Sequence, residues 1–146
     1  MKATTPLRDS LAFRLAVVGA SLENEFARYL KESGLTPKHV GVLAVVDAGL
    51  ARMQDDVATL MGVTPGMVVR LVDHLEAREL LRRERDPQNR RRYVLVLTAA
   101  GKKALEAAEK FTQALDERLT APGGAVSRSR LDEALTVLMR DLNGQA

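Results

Sequence analysis

The stretch from Val63 to Thr98 leaves this chain little freedom of fold. Val63-Thr64-Pro65 is a helix start: the threonine hydroxyl can accept a backbone N–H bond, and the proline is preset for a first helical turn. Val68, Leu71, Val72 and Leu75 then fall on one face of a helix that runs to about Ala77. A shorter helix precedes it, from about Asp55 to Met61, expected to bury Val57, Leu60 and Met61 and to close at Gly62. Two helices joined by a short glycine-containing turn outline a helix-turn-helix. Leu80–Arg85 and Arg92–Thr98 follow as two strands, the second carrying the strand-forming run Tyr93 to Leu97, with Asp86-Pro87-Gln88-Asn89 as the turn between them.

A basic hairpin directly after a helix-turn-helix is the arrangement of a winged helix, in which a helix enters a major groove while the hairpin reaches a flanking backbone or minor groove. Charge supports that use. The whole chain carries a net charge of only +3, yet residues 78–92 hold seven arginines against three carboxylates. A local cationic patch on a nearly neutral body suits a confined polyanion such as nucleic acid; the alternative is a solvated charged hairpin.

On either side the pattern is helical. Leu7, Leu11, Leu15, Val18, Leu22, Phe26 and Tyr29 recur at helical spacing, predicting a long amphipathic helix from Leu7 to a stop near Ser33-Gly34. Thr36-Pro37 opens a second helix to about Ala48, apolar on nearly every side through Val40, Val42, Leu43, Val45 and Val46, and so expected at the centre of the core. After the wing, a helix from Ala99 to about Leu119 and another capped by Ser127 carry apolar stripes, the latter through Leu131, Ala134, Leu135, Leu138, Met139 and Leu142. These flanking stripes have no sheet to cover. A symmetric dimer in which N- and C-terminal helices of two chains interlock would bury them.

The 146 residues suit one domain, and five aromatics with no Trp favour helices packed by aliphatic side chains. The absence of cysteine excludes disulfides, thiolate zinc sites and thiol redox sensing, and fits a reducing cytoplasm. The charged N-terminal residues and the lack of any long uncharged apolar run predict no signal peptide and no membrane span.

Taken together, several local motifs resemble the MarR family of bacterial transcriptional regulators along nearly the whole chain. They are Leu35-Thr36-Pro37, Val57-Ala58 through Gly62-Val63, Arg70-Leu71-Val72-Asp73-His74-Leu75-Glu76, Asp86-Pro87 with Arg90-Arg91, and Leu95-Val96-Leu97-Thr98 with Gly101. The resemblance implies a mainly α fold with a small β-hairpin wing: a winged helix-turn-helix lobe at 35–98 and dimerisation helices at 6–33 and 99–143, within a single domain of 1–146. It also implies a homodimer on double-stranded DNA at a pseudo-palindromic operator, usually a repressor, released by a small aromatic or phenolic effector. Contacts to DNA then fall to Thr64, Pro65, Gly66, Met67, Val69, Arg70 and His74 of the recognition helix and to Arg90, Arg91 and Arg92 of the wing.

The residue types suit those roles. Arg70 can donate to guanine O6/N7 or grip a phosphate, although an ion pair with Asp73 would equally account for it. Arg90 can enter a narrow A·T-rich minor groove, and Asp86 can brace the wing through a carboxylate–guanidinium pair with it. Thr64 is an N-cap that can also face a phosphate. Five positions depart from the family pattern. Gly66, Met67 and Val69 offer few hydrogen bonds to base edges, so a winged-helix protein-interaction module is the rival function; Glu79 replaces a helix-ending glycine; and Met53 replaces a capping Thr or Ser, leaving Gln54 or Asp55 as caps. Arg14, Phe26, Tyr29 and His39 are candidates for an effector pocket, set against dimer core for the first three and a structural histidine for the last. No nucleophile elbow, phosphate-cradling loop or metal-ligand spacing is present, so neither an enzyme nor a cofactor or metal site is expected.

Overall fold

The computed structural model describes residues 3–143. In chain order it contains α1 (Leu11–Leu30), α2 (Pro37–Asp47), α3 (Gln54–Met61), α4 (Pro65–Ala77), β1 (Leu81–Arg85), β2 (Tyr93–Leu97), α5 (Ala99–Leu119) and α6 (Arg128–Asn143). The expected mainly helical fold with one hairpin is what the chain adopts. It divides after Pro37 into two compact units.

In the first unit, α1 starts at Leu11 rather than at Leu7. Leu7–Asp9 instead forms a separate 3-10 turn, because Ser10 takes an extended conformation and caps the next helix, its hydroxyl accepting the Phe13 N–H at 3.5 Å. Leu11, Leu15 and Val18 on α1 are more than half exposed. The helix tightens into a 3-10 turn at Lys31–Ser33, where the Ser33 hydroxyl donates to the Leu30 carbonyl, and stops at Gly34 as expected.

In the second unit, Val42, Leu43, Val57, Val68, Val72, Leu75 and Leu81 are fully buried, so α2, α3, α4 and β1 all feed the core. α3 buries Val57 and Ala58 but leaves Leu60 39% exposed, against expectation. Its buried face is centred between Val57 and Ala58, and a residue three beyond Val57 falls on the flank of that face. Residue Met53 stands at the α3 N-cap, and the missing hydroxyl is offset by Asp56, not by Gln54 or Asp55: the Asp56 carboxylate accepts the N–H groups of Met53 at 3.0 Å and Arg52 at 3.2 Å. α4 has the expected bounds, with Thr64 Oγ1 accepting the Met67 N–H at 3.2 Å.

The hairpin is antiparallel, from Leu81 opposite Leu97 to Arg85 opposite Tyr93. Leu95 also donates its N–H to the Arg52 carbonyl at 2.8 Å, which ties β2 to the segment before α3. Thr98 then caps α5: its hydroxyl oxygen accepts the Gly101 N–H at 3.0 Å and its proton goes to the Glu79 carbonyl at 2.7 Å. α5 buries Leu105, Ala108 and Leu115. Ser127 caps α6 by accepting the Arg130 N–H at 3.4 Å, but Leu131, Leu135, Leu138, Met139 and Leu142 along α6 are all exposed. Among the described residues no helix is long and apolar enough to cross a membrane.

Candidate nucleic-acid interface

The first turn of α4 presents a small, mostly apolar surface. Thr64, Pro65, Gly66, Val69 and Arg70 are exposed and Met67 is half-buried, while Val68, Leu71, Val72 and Leu75 turn inward. The Thr64 hydroxyl oxygen is occupied as a cap, which leaves its proton to donate outward. A Cβ at Gly66 would meet nothing within 4 Å, so the fold itself does not require glycine there. Arg70 has no acidic partner among the described residues. The ion pair with Asp73 that would have accounted for it is absent, and Asp73 Oδ1 instead accepts from Arg83 Nη2 at 2.7 Å.

His74 takes a different position from these residues. It is half-buried, and its ring stacks on that of His39 of α2, with centroids 4.3 Å apart and planes 22° from parallel. Burial, followed by the charges of His74 and Arg78, lowers the His39 pKa from 6.5 to about 4. His39 is therefore neutral at physiological pH.

Apart from Arg78, the arginines of the basic patch divide into two groups. Arg83 is bound on several sides: its Nε donates to Gln54 Oε1 at 2.9 Å, Nη1 to Glu76 Oε1 at 2.9 Å and Nη2 to Asp73. Arg82 pairs with Glu84 at 3.2 Å. Arg85 lies over the Tyr93 ring, 4.9 Å from its centroid, and donates to the Arg90 carbonyl. Arg90, Arg91 and Arg92 form the second group; their side chains are exposed, with no carboxylate partner among the described residues.

Asp86 is buried, and its carboxylate accepts the Gln88 N–H at 3.0 Å, an Asx turn that shapes the tip. The guanidinium facing it is that of Arg52, at 4.0 Å, and not that of Arg90 as the sequence suggested. In the other unit, Arg14 and Tyr29 are exposed on α1 and Phe26 is half-buried. Among the described residues no group of three or more His, Asp or Glu could hold a metal ion.

The Arg83 contacts, the Arg52–Asp86 pair and the histidine stack were not foreseen. Each joins side chains that lie on different elements, so no pattern within one element announces it.

The chain is similar to known transcriptional regulators. The sequence profile of the MarR family matches residues 33–92. The chain is 30% identical over 135 residues, 92% of its own length and 81% of the relative's, to a Thauera aromatica protein named for transcriptional regulation of the hcr operon. Among solved structures, the transcriptional repressor CouR bound to a 23-mer DNA duplex is similar with a TM-score of 0.79 at 29% identity, over 97% of this chain and 99% of that one. CouR from Rhodococcus jostii RHA1 bound to p-coumaroyl-CoA gives a TM-score of 0.79 at 26% identity, over 92% and 93% of the two chains.

Proposed function

Because this chain belongs to the MarR family of transcriptional regulators, we propose that it is a homodimeric repressor that grips an operator with α4 in the major groove and the wing beside it. The family's members are regulators and not enzymes. The observation that carries this reading is the division of the arginines. Among the described residues Arg70, Arg90, Arg91 and Arg92 stay exposed without carboxylate partners, whereas Arg82 and Arg83 make ion pairs. Exposed cations lacking an intramolecular partner are those that can release counterions from phosphates.

In the dimer, two copies of α4 would enter successive major grooves about 34 Å apart, giving a pseudo-palindromic site. Arg70 reads a base edge or phosphate, Arg90 reaches the minor groove, and Arg91 and Arg92 bind the backbone. Thr64 and Pro65 set the helix N-terminus against a phosphate, and Gly66 lets the backbone come close, while Met67 and Val69 touch thymine methyl groups. Asp86 supports the wing through its turn, and His74 supports α4 from behind. The p-coumaroyl-CoA held by the R. jostii CouR favours an aromatic effector for this chain as well, with Arg14, Phe26 and Tyr29 on α1 and, separately, His39 as candidate contacts.

The test is a mobility shift on the duplex upstream of the protein's own gene, with random competitor DNA, at about 50 and about 200 mM salt. Six to ten phosphate contacts would weaken binding by about 10³–10⁵ between the two conditions. Arg70→Ala should cost about 1–3 kcal/mol and blur sequence preference, whereas Arg90→Ala should weaken all duplexes alike. Binding with neither preference nor salt dependence would favour the protein-interaction module. Adding p-coumaroyl-CoA to the preformed complex tests the effector, with release as the expected result.

A further inference from the structure

Arg83 makes more side-chain contacts than the wing alone requires. It lies in β1, its side chain only 21% exposed, and it binds outward to two helices. Its guanidinium donates to Gln54 in the first turn of α3 and to Glu76 and Asp73 of α4. Its backbone N–H donates to the second Glu76 carboxylate oxygen at 2.9 Å. The two carboxylates therefore depend on Arg83 to different degrees. Glu76 would keep a backbone partner if the guanidinium were lost, while Asp73, 59% exposed, would keep none among the described residues.

Asp73 lies three residues after Arg70 on α4, the spacing at which helix side chains meet, and it is the only acidic residue within four positions of Arg70. From this geometry we infer that Arg83 is a positioning residue for DNA recognition: by occupying Asp73, it leaves the Arg70 guanidinium unpaired and turned to the groove. The inference rests on Arg70 being a DNA contact, as proposed above. Without Arg83, Asp73 captures Arg70, and every DNA contact by Arg70 must first break that pair.

The test replaces Arg83 by Gln, which keeps the stem and a group for Gln54, with and without Asp73→Asn. An exposed helix ion pair biases an equilibrium by about two- to fivefold, and that is the expected loss of operator affinity in Arg83→Gln. The salt slope of log affinity should also fall by up to about 1 as the Arg70 contact is lost. Adding Asp73→Asn should restore both, because no carboxylate is then left to hold Arg70. The Arg70 side-chain Nε–H resonance in the DNA-free protein should shift in Arg83→Gln and return in the double variant, a readout that a purely structural Arg83 would not move. Should Arg83→Gln fail to fold, Arg83→Met, which keeps an unbranched stem and has no donor for Asp73, is tested against the same second substitution.

An Arg70 resonance unmoved in a folded Arg83 variant overturns the inference, as does an affinity loss that Asp73→Asn leaves in place. If the wild type binds no duplex but the Arg70 resonance shifts as expected, the positioning stands and the DNA reading fails.

Discussion

Glu79 is the only non-glycine residue with positive φ in the described chain, at 58°. It ends α4 in a Schellman arrangement, with Leu80 N–H bonded to the Leu75 carbonyl and Glu79 N–H to the Glu76 carbonyl, both at 2.9 Å. The left-handed conformation costs an L-residue about 1–2 kcal/mol, from which glycine's extra chain entropy takes back about half. Glu79→Gly is therefore expected to stabilise the protein by about 0.5–1 kcal/mol, seen as a higher urea midpoint at unchanged slope. His39 acts in the opposite sense. Its folded pKa of about 4 lies below the unfolded 6.5, so the unfolded chain binds the proton first and stability declines as pH falls from 6.5 toward 4. Denaturation across that window should show the loss, and His39→Gln should flatten it; equal pH dependence in both proteins would remove His39 as the cause. The departure of Glu79 from glycine was legible in the sequence, since one residue in one turn carries it. The histidine stack was not, because His39 and His74 meet only when α2 and α4 pack.

Between elements, the joint of α4, the hairpin and α5 is built around Thr98 and Gly101. Leu80 offers its carbonyl to the Thr98 N–H at 3.2 Å, and a Cβ on Gly101 would stand 1.9 Å from that same oxygen. Backbone is against backbone, and neither side can give way by changing a rotamer. Gly101→Ala should cost about 3 kcal/mol or more, measured by thermal or urea unfolding, because α5 must move away from the Leu80 carbonyl that follows α4. A cost below 1 kcal/mol would mean that this joint yields. The α4, hairpin and α5 boundaries were readable because each is set by a cap or a turn a few residues long. The start of α1 was misplaced at Leu7 because the apolar spacing continues through Ser10, which interrupts the helix without interrupting the stripe.

For the whole molecule, the decisive feature is what remains uncovered. Leu11 is 74% and Leu142 72% exposed, and no residue of α6 whose burial is described is buried. Apolar stripes of this extent on terminal helices favour self-association. Leu135→Asp with Leu138→Asp, two exposed residues of α6, should weaken the proposed dimer by at least about tenfold in sedimentation equilibrium and reduce operator affinity with it, while circular dichroism stays helical. A dimer that survives these changes would place the interface elsewhere. The sequence by itself determined the order of elements, the helix-turn-helix, the wing and the concentration of arginines within it, since caps, turns and periods act over a few neighbouring residues. Only the tertiary structure decided which arginines are paired within the fold and which stay exposed without a carboxylate partner among the described residues. Arg83 meets Asp73, Glu76 and Gln54 across 10, 7 and 29 residues of chain. A pairing between distant side chains is chosen by how the elements pack, and the charge run that contains Arg83 looks the same whether or not that pairing forms.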